Sequence, residues 1–313
     1  MLPPATTPPA EEIAGGKGRE LNGHRFFMPF DGQSALLSTS FAFKQGVAST
    51  SAPVRDDVSV AFYRYEQSLR LQAALANRVA LDLEVSGAAN VAGNVETVAL
   101  VAGLADLRAG GGARLRLFTV RPLGLQATVG VSAYYTRGVL LVPANLLSTI
   151  AAQVNAEAEK EEPNFARAFE RGVERGARAA FVETVGAVVA PSAALSAGGG
   201  PLGLQLSASP AVFITRTSVT EGDDTSVQLE LAAQAEFDVS RLSSLVPVAI
   251  TGSYSRRGQP GTEPLQTASL GIWYAGRRSF AAGVFGSYGW QPLPDVDETS
   301  TTLGGSLALQ SHF

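Results

Sequence analysis

TTLGGSLALQSHF, residues 301–313, closes the chain. Taken at alternate positions, Leu303, Gly305, Leu307, Leu309, Ser311 and Phe313 form one set. Thr302, Gly304, Ser306, Ala308, Gln310 and His312 form the other. A β-strand sends successive side chains to opposite faces, so this stretch presents a mostly apolar side and a small, polar one. It is longer than an average globular strand of about 5–6 residues.

A long amphipathic strand ending on an aromatic carboxyl terminus resembles the closing strand of bacterial outer-membrane β-barrel proteins. The resemblance implies an antiparallel transmembrane barrel in outer-membrane lipid, with Phe313 as part of the signal read by the barrel-assembly machinery. It also implies export, so a signal peptide is expected to have been removed from a sequence that starts Pro/Ala/Gly-rich.

The same alternation recurs in eleven upstream stretches, near 34–46, 57–74, 78–88, 112–121, 124–137, 185–197, 203–216, 225–239, 246–256, 264–275 and 279–290. In 225–239, Val227, Leu229, Leu231, Ala233, Ala235, Phe237 and Val239 oppose Gln228, Glu230, Ala232, Gln234, Glu236 and Asp238. Most stretches match the roughly 9–11 residues that cross a bilayer at a tilt. No apolar run approaches the roughly 18 residues of a membrane helix. With the amino terminus in the periplasm, the turns fall at Leu75–Asn77, Pro122–Leu123, Gly198–Leu202, Ser240–Leu245 and Gly276–Arg278. The outer loops then cover about 47–56, 89–111, 138–184, 217–224, 257–263 and 291–300, mostly longer. Phe280, Tyr288 and Trp290 sit at the two ends of one apolar face, as interfacial girdles require, and Tyr135, Tyr254 and Tyr274 suit either girdle. Alternation alone also suits a soluble β-sandwich. The many charged and small residues on the second face favour a wet lumen.

The expected architecture is thus an all-β, twelve-stranded antiparallel transmembrane barrel over 33–313, behind a flexible periplasmic tail at 1–32. A helical extracellular insertion at 139–184 lies in the third outer loop. There, Leu146, Leu147, Ile150, Ala151 and Val154 recur at helical spacing, followed after Pro163 by Phe165, Ala168, Phe169, Gly172, Val173 and Gly176. Arg167, Arg171, Arg175 and Arg178 on the second helix are candidates for a constriction at the mouth. Residues 94–107 are expected to form a short helix in the second outer loop. The aromatic run His24-Arg25-Phe26-Phe27-Met28-Pro29-Phe30 should not float free: it docks at the periplasmic rim, plugs the lumen or holds a partner.

The absence of cysteine excludes disulfides and thiolate metal sites, and a net charge of −4 gives no reason to expect nucleic acid. Only His24 and His312 could serve as a general base, and neither falls at the outer leaflet where barrel hydrolases place their sites. No enzyme, cofactor or metal is expected. The glycine runs at 110–112 and 198–200 lack the phosphate-loop lysine and are assigned to a loop and a turn. What remains is the inward wall. Glu66, Arg70, Arg78, Asp82, Glu84, Arg114 and Arg116 come from three consecutive strands, where opposite charges can pair across the ladder. Glu230, Glu236 and Asp238 form an acidic stripe opposite them.

Such a wall either satisfies its own charges or selects solutes. The leading reading is a porin-like conduit for small hydrophilic or charged solutes. The alternative is a non-conducting barrel that docks a protein partner, itself unidentified, through its outer helices or tail. An autotransporter translocation domain would want a helix through the pore before the first strand, and Pro29 and Gly32 argue against one.

Overall fold

A computed structural model describes residues 19–55, 58–94, 97–98, 102–160, 163–218, 222–243, 245–293 and 298–313. Residues 1–18 of the expected tail lie outside these, as do short parts of five of the six expected outer loops and of the Ser240–Leu245 turn. β1 (Glu20–Leu21) and β2 (His24–Arg25) form a small hairpin. The barrel strands follow: β3 (Ser40–Arg55), β4 (Val58–Ala76), β5 (Val79–Ala92), β6 (Gly103–Val120), β7 (Leu125–Leu141) and β8 (Phe181–Gly199). They continue as β9 (Leu202–Thr217), β10 (Asp224–Asp238), β11 (Val248–Gly258), β12 (Leu265–Tyr274), β13 (Phe280–Pro292) and β14 (Thr299–His312).

Each strand pairs antiparallel with its sequence neighbours, and β14 closes the barrel on β3 from Thr301↔Ser51 to His312↔Ser40. Closure leaves no backbone edge unpaired, which is what a β-structure surrounded by lipid requires. The last backbone N–H, of Phe313, donates to Thr39 O at 3.0 Å and extends the seam by one bond. Among the described residues no helix is long and apolar enough to cross a membrane; the strands, at 10–19 residues, are long enough.

The alternation sets the two faces. Leu303 and Leu307 are exposed on the outside, whereas Ala308 and His312 are buried within. On β10, Val227, Leu229 and Leu231 point outward while Gln234, Glu236 and Asp238 are buried. Tyr254, Ala268, Tyr288, Leu303, Ser49 and Tyr63 follow one another as register partners from β11 through β14 to β4. These three tyrosines are exposed on the outer face in the loop-ward part of their strands, and Trp290 stacks on Tyr288 at 5.8 Å. Exposed aromatics there suit the interface between hydrocarbon and headgroups. Tyr274 and Phe280 lie at the opposite end.

Several boundaries differ from the sequence reading. β6 begins at Gly103, so the expected 94–107 helix does not extend over 103–107; Thr97 and Val98 are helical, and 95–96 and 99–101 lie outside the described residues. Hydrogen bonding to both β5 and β7 outweighs the local helical pattern over 103–107. Gly110–Gly112 lie within that strand rather than in a loop. Most of the 47–56 loop is strand, since β3 and β4 run on to Arg55 and from Val58. The first barrel strand starts at Ser40 rather than 34, because the residues before it are inside the barrel. α1 (Pro143–Ala158) and α2 (Phe165–Ala180) join β7 to β8. They pack through small residues: Gly172 lies against Ile150 and Gly176 against Leu146, with no room for a Cβ at either position.

Candidate functional site

The lumen is divided into a filled half and an open half. Beyond the β1–β2 hairpin, residues 26–38 enter the barrel from the end that carries Phe313, turn at Asp31–Gly32 and return to the start of β3. Residues 19–32 therefore do not form a free tail, because polar wall side chains and an apolar wall hold them. Gly32, at φ +76°, makes the turn, and a Cβ there would collide with Ser207 and Ala232. No helix occupies this segment.

The ascending limb runs beside the acidic stripe of β10. Glu236 Oε2 accepts from Phe27 N at 3.1 Å, Gln234 Oε1 from Phe30 N at 3.0 Å and Glu230 Oε1 from Gly32 N at 3.1 Å. Glu236 also meets His24 Nε2 at 3.2 Å and accepts from Gln234 at 2.9 Å and Gln205 at 2.5 Å. The limb's backbone thus finds on the wall the partners it lacks in a sheet, as buried amides must. Its aromatic side faces β11–β14, where Phe27 lies 5.4 Å from the Trp273 ring and Phe30 lies 5.4 Å from that of Phe285. Phe27, Ala249, Trp273, Ala275, Ala281, Phe285 and Ala308 form a buried apolar cluster inside the barrel.

The descending limb ties to other walls. Ser192 Oγ donates to Gln33, Arg114 Nη1 to Ser34 O at 2.7 Å, and Gln126 Nε2 to Ala35 O at 2.5 Å. Gln72 accepts from Ser38 N at 3.0 Å. Ser38 Oγ and His312 Nδ1 meet at 3.3 Å, both buried, so this serine–histidine pair is a seam contact. Below, Arg19 donates to Arg277 O and Arg278 O, and Arg25 to Ala275 O, covering carbonyls of the β12–β13 turn. A cavity of about 50 Å³ lies between this inserted segment, the strap, and the wall.

Above the strap lies a cavity of about 370 Å³. Among the anticipated residues, Glu66, Arg70, Glu84 and Glu230 line it. Arg70 and Glu84 are register partners bonded at 2.8 Å, and Glu230 binds Arg257 at 2.7 Å. Asp82 lies deeper, forked against Arg114 at 2.5 and 2.6 Å, a bidentate geometry that fixes both side chains. Asp238 is fully buried beside Ser240 and Arg241. Arg116 is half-buried at a bulge in β6. Arg78 is not on the wall: it occupies the β4–β5 turn, exposed, because the chain reverses before its alternation can count.

Arg167, Arg171, Arg175 and Arg178 line neither lumen cavity. Arg171 reaches Glu157 at 3.5 Å, Arg175 reaches Gln153 at 3.3 Å, and Arg178 pairs with Glu174 on its own helix. Glu157 also accepts from Lys160 at 2.7 Å and from Asn164 N at 3.2 Å. The Lys160 bond, foremost, holds its carboxyl below the ordinary glutamate pKa.

Sequence reasoning did not single out Arg108, Lys44, Asp31 or Tyr134. Gly110 gives the missing signal. A Cβ there would lie 2.8 Å from Tyr134 Cδ1, so the glycine lets that ring lie across β6, and Arg108 stacks on it at 3.5 Å.

No protein-family model matches the chain, and no curated protein matches it. Solved structures do. The transport unit of the autotransporter AIDA-I from Escherichia coli is 9% identical, covering 92% of this chain and 94% of its own, with a TM-score of 0.53. A FadL homologue from Pseudomonas aeruginosa is 12% identical, covering 89% and 91%, with a TM-score of 0.50. An outer membrane channel from Pseudomonas putida F1 is 11% identical, covering 92% and 100%, also at 0.50. The chain has the outer-membrane β-barrel fold that these structures share.

Proposed function

We propose that the chain is a conduit of the bacterial outer membrane for small hydrophilic or charged solutes, closed at rest by its own amino-terminal strap. On this reading the turn end faces the periplasm, and the α1–α2 hairpin lies outside the cell. The observation that carries it is the division of the lumen. A charged, roomy half narrows onto a strap held by side-chain hydrogen bonds and two aromatic contacts rather than by strand pairing. Such an attachment can be released without breaking the β-ladder of the barrel. The reading is not enzymatic: His24 and His312, the two histidines, both serve strap–wall contacts.

The filled half lends weight to a second reading, a permanently closed barrel that presents its helices to a partner. Planar-bilayer recording separates the two. The full chain should show long closures with brief openings, and a variant lacking residues 24–38 should conduct steadily. Heat-modifiable gel migration would show that the shortened barrel has folded. If the folded, shortened barrel carries no current, the conduit reading fails.

A further inference from the structure

The open half of the lumen carries balanced but incompletely paired charge. Lys44 faces Glu66 at 3.8 Å, and Arg64 lies between Glu66 at 3.3 Å and Asp106 at 4.0 Å. Arg70 holds Glu84, and Arg257 holds Glu230. Two lining charges stand outside these salt bridges, Arg108 in the field of Glu84 and Asp31 in that of Arg257. Arg108 has no carboxylate within 4.0 Å among the described residues; its contact is the Tyr134 face, and its Nε is buried without a hydrogen-bond partner. Asp31, at the tip of the strap, accepts from Ser255 Oγ at 2.7 Å and has no ion-pair partner among the described residues.

These two groups stand on different sides of the cavity. Arg108 is on β6, while Asp31 is held to β11, five strands away around the barrel. A group with one negative charge can meet Arg108, and a positive charge on the same molecule can meet Asp31. A simple anion or cation would be drawn to one and repelled by the other across a confined space. We propose that this cavity is a binding site for a small zwitterion whose carboxylate meets Arg108 and whose ammonium group meets Asp31. This rests on the conduit reading and names the solute class that would enter from the open side. It also gives the strap a role: Asp31 at its tip makes the site complete only while the strap is docked.

The test is equilibrium binding to the refolded full chain in detergent, by calorimetry, with three probes of equal length: 4-aminobutyrate, butyrate and butylamine. The zwitterion should bind at least tenfold more tightly than either singly charged probe. Arg108→Gln should reduce it to the level of butylamine, and Asp31→Asn to the level of butyrate. Ser255→Ala, which removes the Asp31 contact but no charge, should keep the preference for the zwitterion. Heat-modifiable migration and the Phe27 amide's hydrogen-exchange protection would show that barrel and strap remain in place in each variant. Equal binding of 4-aminobutyrate and butyrate, indifferent to Asp31→Asn, would overturn the proposal in favour of an anion site. So would no binding by any probe. Because binding is read without current, steady conductance with no binding would sink this inference alone, and absent conductance with selective binding would sink the conduit reading alone.

Discussion

Glu236 on β10 and Phe27 on the strap are joined through the carboxylate and the Phe27 amide at 3.1 Å, in the buried half of the lumen. That carboxylate also serves His24, Gln205 and Gln234, so its removal leaves several buried donors without an acceptor. Glu236→Ala should weaken strap docking on the order of 3 kcal/mol. The undocked fraction would then rise roughly 100-fold, since about 1.4 kcal/mol is a factor of ten. Single-channel open probability and exchange of the Phe27 amide would read the change. Unaltered protection at Phe27 would count against this anchor.

Phe27 contributes on the other side of the strap, where its ring meets Trp273. Phe27→Ala removes a buried aromatic and should cost about 3–5 kcal/mol of docking. Trp273 reports it directly once the only other tryptophan is replaced, as Trp290→Phe. Its emission should move to longer wavelength and become open to acrylamide. Emission identical to that of the parent would show that the strap stays seated without this ring.

Gly110→Ala should lower barrel stability by about 1–3 kcal/mol, because the new methyl meets Ala133 O as well as the Tyr134 ring. Tyr134→Ala in the same chain relieves only the second contact, so rescue should be partial. The temperature at which the compact gel band converts to the unfolded one measures both. Full rescue by Tyr134→Ala would show that the β6–β7 backbone approach is looser than the contact implies.

The α1–α2 hairpin should loosen in acid. Lys160, Asn164 N and Arg171 stabilise the ionised form of Glu157, so its pKa is lower in the folded hairpin than in the unfolded one. A carboxyl depressed on folding adds stability above its unfolded pKa, about 4.3 for glutamate, and that stability is lost as pH falls through the folded value. Proteolysis of the hairpin by an acid-active protease should therefore accelerate below about pH 4. Glu157→Gln should flatten this dependence. A profile that keeps its full steepness in the Gln variant would assign the effect elsewhere.

The barrel was legible in the sequence because each strand carries its own instruction. Val227, Leu229 and Leu231 opposite Gln228 and Glu230 need no distant partner to be recognised as two faces. The strap carries no such period. Phe27 and Phe30 indicated something buried, but their ring contacts are to Trp273 and Phe285, more than 200 residues away, and the strap's amides are met by side chains of β10. Arg78 followed the alternation of Asp82 and Glu84 but fell in a turn of two residues, where parity has no meaning. Residues 103–107, the end of the expected 94–107 helix, are strand because of their neighbours on β5 and β7, which the local pattern does not show. Arg108 went unremarked because its value depends on a glycine two positions on and a tyrosine on the next strand.

Both limbs of the strap leave through the same mouth, the descending limb running straight into β3. Withdrawal therefore requires no unthreading, and the withdrawn segment stays leashed at its port. Its return is a first-order event, governed by an effective concentration in the millimolar range for a short tether. A free peptide copying residues 24–38 would have to reach comparable concentrations to compete. On the conduit reading, the stopper resets at a rate indifferent to how many copies of the protein a membrane holds.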